Sequence, residues 1–170
     1  MRRCAQAARA GGPARVVLKF NTLTDPALVD GLVKASRAGV PIDLIVRGAC
    51  TLRPGVPGQT ETVRVRSVVG RFLEHSRVFY FRWGPAPDDE VLYLSSADWM
   101  SRNMLRRVEV AWPVLEPALR QRVIDECLVP YLHDTLDAWT QRADGRYDRV
   151  AERGVSAQQA LMRRFTPEKE

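Results

Sequence analysis

The chain has 170 residues and 19.2 kDa, which is enough for one domain with a sizeable buried core. With 45% hydrophobic and 27% charged residues it is neither a disordered tail nor a membrane protein, and its longest apolar runs are far short of a bilayer span. The formal net charge of +6 is concentrated: between Arg47 and Arg82 stand seven arginines (47, 53, 64, 66, 71, 77, 82) against Glu61 and Glu74. Arginine's planar fork matches phosphate oxygens, so the local excess points to a phosphorylated or polyanionic ligand. A solvated basic surface would read the same way on charge alone.

In chain order, 1–12 is basic without an apolar core to follow, so it reads as an N-terminal segment ahead of the domain and not as a signal peptide. The run over 14–20 predicts a short buried strand. Asp25 and Pro26 then predict a helix start, Leu28, Leu32 and Ala35 its apolar stripe, and Gly39 its stop. A second strand over 40–46 completes a parallel strand–helix–strand crossover, with Arg47 leaving its carboxyl end. Ligands of open α/β sheets bind at that edge.

The Gly- and Pro-rich stretch 48–61 predicts a long ordered loop. Strands follow over 62–68, 78–81 and 91–95, the last two as a hairpin or as adjacent strands. The alternation in "RRVEVAWPV" predicts another strand over 106–114, closed by Pro113. A helical pattern over 116–139 is expected to break or kink at Pro130. A short strand after Asp144 and a last helix capped by Ser156 close the domain at 165, leaving 166–170 as a tail. Cys4, Cys50 and Cys127 are odd in number and widely spaced, which argues against a disulfide framework and against a structural zinc and fits a cytoplasmic protein.

The chain has two histidines. His133, beside Asp134 in the helical pattern, reads as structural. His75 lies in "LEHSRVFYF", just before a strand and inside the arginine-rich stretch. Histidine can attack phosphorus or donate a proton to a leaving phosphate. Arg77 stands two residues on, and i and i+2 of an extended segment face the same way, so both side chains could reach one phosphate. Ser95, Ser96, Asp98, Arg102 and Asn103 follow a strand in "YLSSADWMSRN", where they serve either phosphate binding or turn and cap chemistry. Glu109 alternates with Val108 and Val110 and faces either a site or solvent.

Taken together, "KFNTLTDPALVDGLVKASRAGVPIDLIVRGACTLRPGVPG", "VRVRSVVGRFLEHSRVFYF", "YLSSADWMSRNMLRRVEVAWPV" and "GRYDRV" closely resemble the C-terminal part of the first-class bacterial polyphosphate kinases. The resemblance covers 12–165. It implies an α/β fold: a phospholipase D-like mixed sheet flanked by helices, one domain with a helical C-terminal part. The HSR…SSAD pattern is its version of the phospholipase D HxK…GSxN arrangement. The activity implied is reversible transfer of the terminal phosphoryl group of ATP to polyphosphate, with magnesium as cofactor and ATP, ADP and polyphosphate as ligands.

Residue by residue, the resemblance makes Arg47 a contact to ATP phosphates and His75 the second active-site histidine, with a protonated His75 and Arg77 neutralising charge. Glu109 matches an active-site acid. The histidine that is phosphorylated, and the residues linked to magnesium, belong to another part of that family's sequence. The chain is therefore expected to carry no metal ligands of its own, to be inactive alone, and to need a complementing catalytic half or a homo-oligomer. The readings from other classes are a non-catalytic polyanion-binding module and a phospholipase D-like phosphodiesterase acting as a homodimer. Nucleic acid is disfavoured as a ligand, because no recognition motif or stacking set is present.

Overall fold

The structure is a computed structural model, which describes residues 1–151 and 153–166. Helix α1 (Arg2–Arg9) leads into β1 (Arg15–Phe20), α2 (Pro26–Arg37), β2 (Ile42–Val46) and β3 (Val63–Val68). Next come β4 (Val78–Arg82), β5 (Glu90–Ser95), α3 (Ser101–Leu105) and β6 (Ala111–Pro113). A helical segment runs from Pro117 to His133 as α4 (Pro117–Val123), a π-helical turn (Ile124–Leu128) and α5 (Val129–His133). Strands β7 (Ala138–Gln141) and β8 (Tyr147–Arg149) and helix α6 (Ala157–Phe165) complete the described chain.

The strands form one eight-stranded mixed sheet in the order β6-β5-β4-β1-β2-β3-β7-β8. β1, β2 and β3 are parallel neighbours, in register from Val16 against Ile42 and from Ile42 against Val63. All other pairings are antiparallel. The crossover from β1 to β2 is built as its sequence predicts: the Asp25 side chain accepts a 3.0 Å hydrogen bond from the Leu28 amide, Pro26 opens α2, and Gly39 at φ +87° turns the chain out of it.

Strand alternation divides the core between the two faces. Val16, Leu18 and Phe20 with Ile42, Leu44 and Val46 pack under α1 and α2. There Phe20 stacks on Trp99 at 5.3 Å between centroids, and Phe79 meets both edge-on. Val17, Ile45, Val78, Tyr80 and Leu92 pack on the other face against Leu128, Tyr131 and Ala157.

Three segments differ from their sequence-based expectation. Residues 1–12 contain α1, whose Cys4 is fully buried and whose Ala5 and Ala8 pack on the core. Of the strand expected over 106–114 only Ala111–Pro113 is strand; its alternation is not a buried face, since Val108 is 100% and Val110 56% exposed. The helix expected over 116–139 stops at His133, and Trp139 lies in β7 opposite Ser67 of β3. Pro130 cannot donate to the carbonyl four residues back, and the π-helical turn ahead of it takes up the mismatch. Asp134 then ends the helix in an extended conformation, and its carboxylate accepts from Asp137 N at 2.8 Å and from Ala157 N, at the start of α6, at 2.7 Å.

The cysteines are free, as expected. Among the described residues no helix is long and apolar enough to cross a membrane. The expected tail lies, except for Thr166, outside the described residues.

Candidate functional site at the carboxyl edge of the parallel strands

Four of the residues singled out in the sequence meet where β1 and β2 end and β4 begins, joined by a fifth, Asn21. The Arg77 guanidinium forks onto Asp98, Nε to Oδ1 and Nη2 to Oδ2, both at 3.0 Å. Its Nη2 also lies 3.1 Å from Nε2 of His75, and its Nη1 donates to the His75 carbonyl at 3.3 Å. Asp98 accepts in turn from the Asn21 backbone N at 2.8 Å and from Nδ2 at 3.3 Å. Asn21 Oδ1 accepts from Arg47 Nε at 3.1 Å. One hydrogen-bonded chain thus runs from His75 through Arg77, Asp98 and Asn21 to Arg47. The extended segment sets His75 and Arg77 side by side, as the i, i+2 spacing predicts.

The arrangement fixes how each group can act. A guanidinium only donates, so Nε2 of His75 is the acceptor and its imidazole carries hydrogen on Nδ1. Arg77 is committed to Asp98 and His75, so it braces rather than reaches outward. Arg47 spends only Nε on the network; its terminal nitrogens have no protein partner among the described residues. Burial pushes the Asp98 carboxyl up, but Arg77 and Asn21 outweigh it and hold the group below the usual carboxylate range.

Glu109 forms an adjoining cluster. It accepts from the Ser96 hydroxyl and, at 2.6 Å, from Asn103 Nδ2, and these two bonds lower its pKa. Ser95 serves the local turn, accepting from Ala97 N at 3.0 Å and donating to the Val110 carbonyl at 3.2 Å. Arg102 lies exposed on α3 without a side-chain contact to the network among the described residues. His133 is exposed at the end of α5, on the rim of a different cavity.

The nearby carboxylates do not fit a resident magnesium. Asp98 and Glu109 each have both oxygens engaged by side-chain donors. Among the described residues no group of three His, Cys, Asp or Glu gathers to hold a metal.

Beneath His75 lies a buried pair that the sequence reading did not single out. Lys19, in the middle of apolar β1, places Nζ 3.2 Å from Glu74 Oε1 and 3.2 Å from the Tyr131 ring centroid. Glu74 also accepts from Tyr131 OH at 2.6 Å and from Ser76 N at 3.0 Å. Burial pushes Lys19 down, against Glu74's pull. Burial also pushes Glu74 up, but Lys19, Ser76 and Tyr131 outweigh it and bring its pKa down to about 2. A lysine interrupting "VVLKF" was the available signal, since such a residue needs a partner in a core.

The loop before His75 is tied to α6. Gln158 accepts from Phe72 N and donates to Phe72 O, both at 2.8 Å, and a Cβ at Gly70 would lie 2.5 Å from Gln158 Oε1. Gln158→Ala is expected to cost about 1 kcal/mol and to speed amide hydrogen exchange of Phe72 selectively, read by NMR.

Residues 1–160 match the family described as Polyphosphate kinase C-terminal domain 2. Polyphosphate kinases of Xylella fastidiosa and Burkholderia ambifaria are 54% and 56% identical to the chain over 143 and 142 residues, 84% of this chain but 20% of either relative. The chain therefore spans about a fifth of the length of the curated relatives it matches. The crystal structure of polyphosphate kinase from Porphyromonas gingivalis superposes with a TM-score of 0.88 at 38% identity, over 96% of this chain and 25% of that one. Nuc, a phospholipase D family member from Salmonella typhimurium, gives a TM-score of 0.53 at 13% identity, over 83% of this chain and 90% of that one, a likeness of fold alone. The sheet thus has the expected phospholipase D-like architecture, and the chain belongs to the polyphosphate kinase C-terminal domain 2 family.

Proposed function

We propose that this chain supplies a phosphate-binding wall of a polyphosphate kinase, in which the terminal phosphoryl group of ATP moves reversibly onto the end of a polyphosphate chain. The bond from the γ-phosphorus to the β–γ bridging oxygen breaks as a bond to a histidine nitrogen of a complementing half forms and ADP leaves; that phosphorus–nitrogen bond then breaks as a bond to a terminal polyphosphate oxygen forms. The observation that carries this reading is the continuous network from His75 to Arg47, which ends in a guanidinium with its terminal nitrogens unspent at the ligand-binding edge of the sheet.

Phosphoryl transfer is mainly positioning and neutralisation of charge on the transferred group. Arg47 grips phosphate oxygens through its terminal nitrogens. His75 presents Nδ1 to a phosphate oxygen. Arg77 and Asp98 position His75, and Glu109 keeps Ser96 and Asn103 in place beside them. Magnesium, when bound, neutralises phosphate charge; the residues above do not hold it, and the ligands it requires belong to other parts of the relatives' sequence. ATP, ADP and polyphosphate are the ligands, and a complementing catalytic half supplies the histidine that is phosphorylated, in the cytoplasm.

The test combines transfer from γ-labelled ATP into polyphosphate with calorimetric titration of polyphosphate into the purified chain. We expect no transfer, and binding weakened about tenfold or more by Arg47→Ala, the loss of a charge-assisted contact. Binding indifferent to Arg47→Ala would remove Arg47 from the site. Transfer abolished by His75→Ala would show that the chain needs no complementing half.

A further inference from the structure

We propose that the cavity between the sheet and the Pro117–His133 helical segment binds a small organic anion, a phosphate or carboxylate carried on an apolar body, at a site separate from the His75 edge. The cavity has a volume of about 800 Å³ and is walled by Val17, Tyr80, Ile124, Leu128 and Leu132. Small-molecule pockets of roughly 300–1,000 Å³ pair such apolar walls with a few convergent polar groups.

Its polar lining includes Arg15, Arg64 and Arg66 beside the carboxylate of Asp43, and Arg82 beside the carboxylate of Glu90. Asp43 is taken by Arg15 at 2.9 Å. Arg64 lies opposite Asp43 in the strand register, is exposed, and has no ion pair among the described residues. Arg66 is half-buried and answers only to backbone carbonyls, Tyr131 O at 2.9 Å and Asp134 O at 3.3 Å. Burial lowers its pKa against the pull of Asp43 and Asp134, and neighbouring Arg64 adds to the lowering. Arg82, on the same wall, is answered by Glu90 at 3.9 Å and by the Gly84 carbonyl at 3.0 Å, so it does not add to the imbalance.

Arg64 and Arg66 project from one face of β3 about 7 Å apart, close enough for both forks to meet one anionic head. Arg15, Arg64, Arg66 and Arg82 against Asp43 and Glu90 leave a positive excess beside an apolar wall, the complement of an amphipathic anion. This is not the Arg47 site: β1 runs from Arg15 at the cavity toward Asn21 at the network, about 20 Å along the strand.

The probe is phenyl phosphate, titrated into the ¹⁵N-labelled 170-residue chain, with inorganic phosphate as the headgroup alone. The expected result is amide shifts at Arg64, Arg66 and Ile124, with inorganic phosphate binding there about tenfold more weakly because it buries no apolar surface. Arg64→Glu is expected to raise the Kd about tenfold. Leu132→Trp, which pushes an indole from the apolar wall into the cavity, should weaken binding in a chain whose spectrum remains dispersed, and Arg47→Ala should leave the cavity shifts unchanged. Shifts confined to the neighbourhood of Arg47 and His75, or binding indifferent to either Arg64→Glu or Leu132→Trp, would overturn the proposal. That outcome is distinguishable from a failure of the kinase reading, which rests on Arg47 and His75.

Discussion

Asp98→Asn is expected to destabilise the chain by about 3 kcal/mol and to change the tautomer of His75 at the same time. The Arg77 and Asp98 side chains are only 12% and 11% exposed, so neither charge has water to fall back on. An asparagine keeps the volume and one acceptor, but turns an NH2 group toward a guanidinium that can only donate. The cost is large because a nearly buried cation loses its counter-charge, not because one hydrogen bond is missing. In a domain whose whole stability is about 5–15 kcal/mol, that loss is easily read in a denaturant titration.

The double variant Arg77→Met/Asp98→Leu separates the two explanations. If the uncompensated charge is the cause, removing both charges recovers most of the stability. The tautomer gives an independent readout: with Arg77 unanchored, Nε2 of His75 loses its donor, and imidazole ¹⁵N shifts should move away from the Nδ1–H form. A loss under about 1 kcal/mol, with His75 shifts unchanged, would show that the pair does not brace the histidine.

The same network shows what was legible in the sequence. The β1–α2–β2 crossover could be read directly, because Asp25, Pro26 and Gly39 punctuate an apolar stripe and local rules suffice there. His75 and Arg77 were legible together because their relation is local, two residues along an extended segment. Asp98 could be suspected from its place in "SSAD", but its partner is 21 residues earlier, and Asn21 is 77 residues from Asp98. That long-range closure depends on β1, β4 and β5 lying side by side, which no periodicity reports. Helix α1 escaped for a different reason: Cys4 is its only buried residue and Ala5 and Ala8 pack beside it, so its stripe consists of small residues among arginines. The strand expected across 106–110 shows the converse failure. Alternating valines there face outward, and Glu109 between them is occupied by Ser96 and Asn103.

The second large effect is expected at Lys19 and Glu74, and it links the core to the site. Glu74→Leu should cost about 3–5 kcal/mol, because Lys19, with its side chain 4% exposed, would keep only the Tyr131 ring to answer its charge. Lys19→Met/Glu74→Leu should recover most of that loss, since no charge is then left buried. The pair also predicts the acid limb of the stability curve. Glu74 titrates near 2 in the folded chain, below its ordinary 4.5, so the folded state binds the carboxylate form more favourably than the unfolded chain does. Its contribution is fully present above about pH 4.5 and is lost as pH falls toward 2, an effect of about 3 kcal/mol across that window. In the double variant that part of the acid dependence should disappear. Glu74 directly precedes His75 and holds the Ser76 amide, so losing it should also broaden the His75 resonances before the chain unfolds. If stability between pH 5 and 2 is the same with and without Glu74, the carboxylate is not ionised against Lys19, and the anchor beneath His75 must be Tyr131 alone.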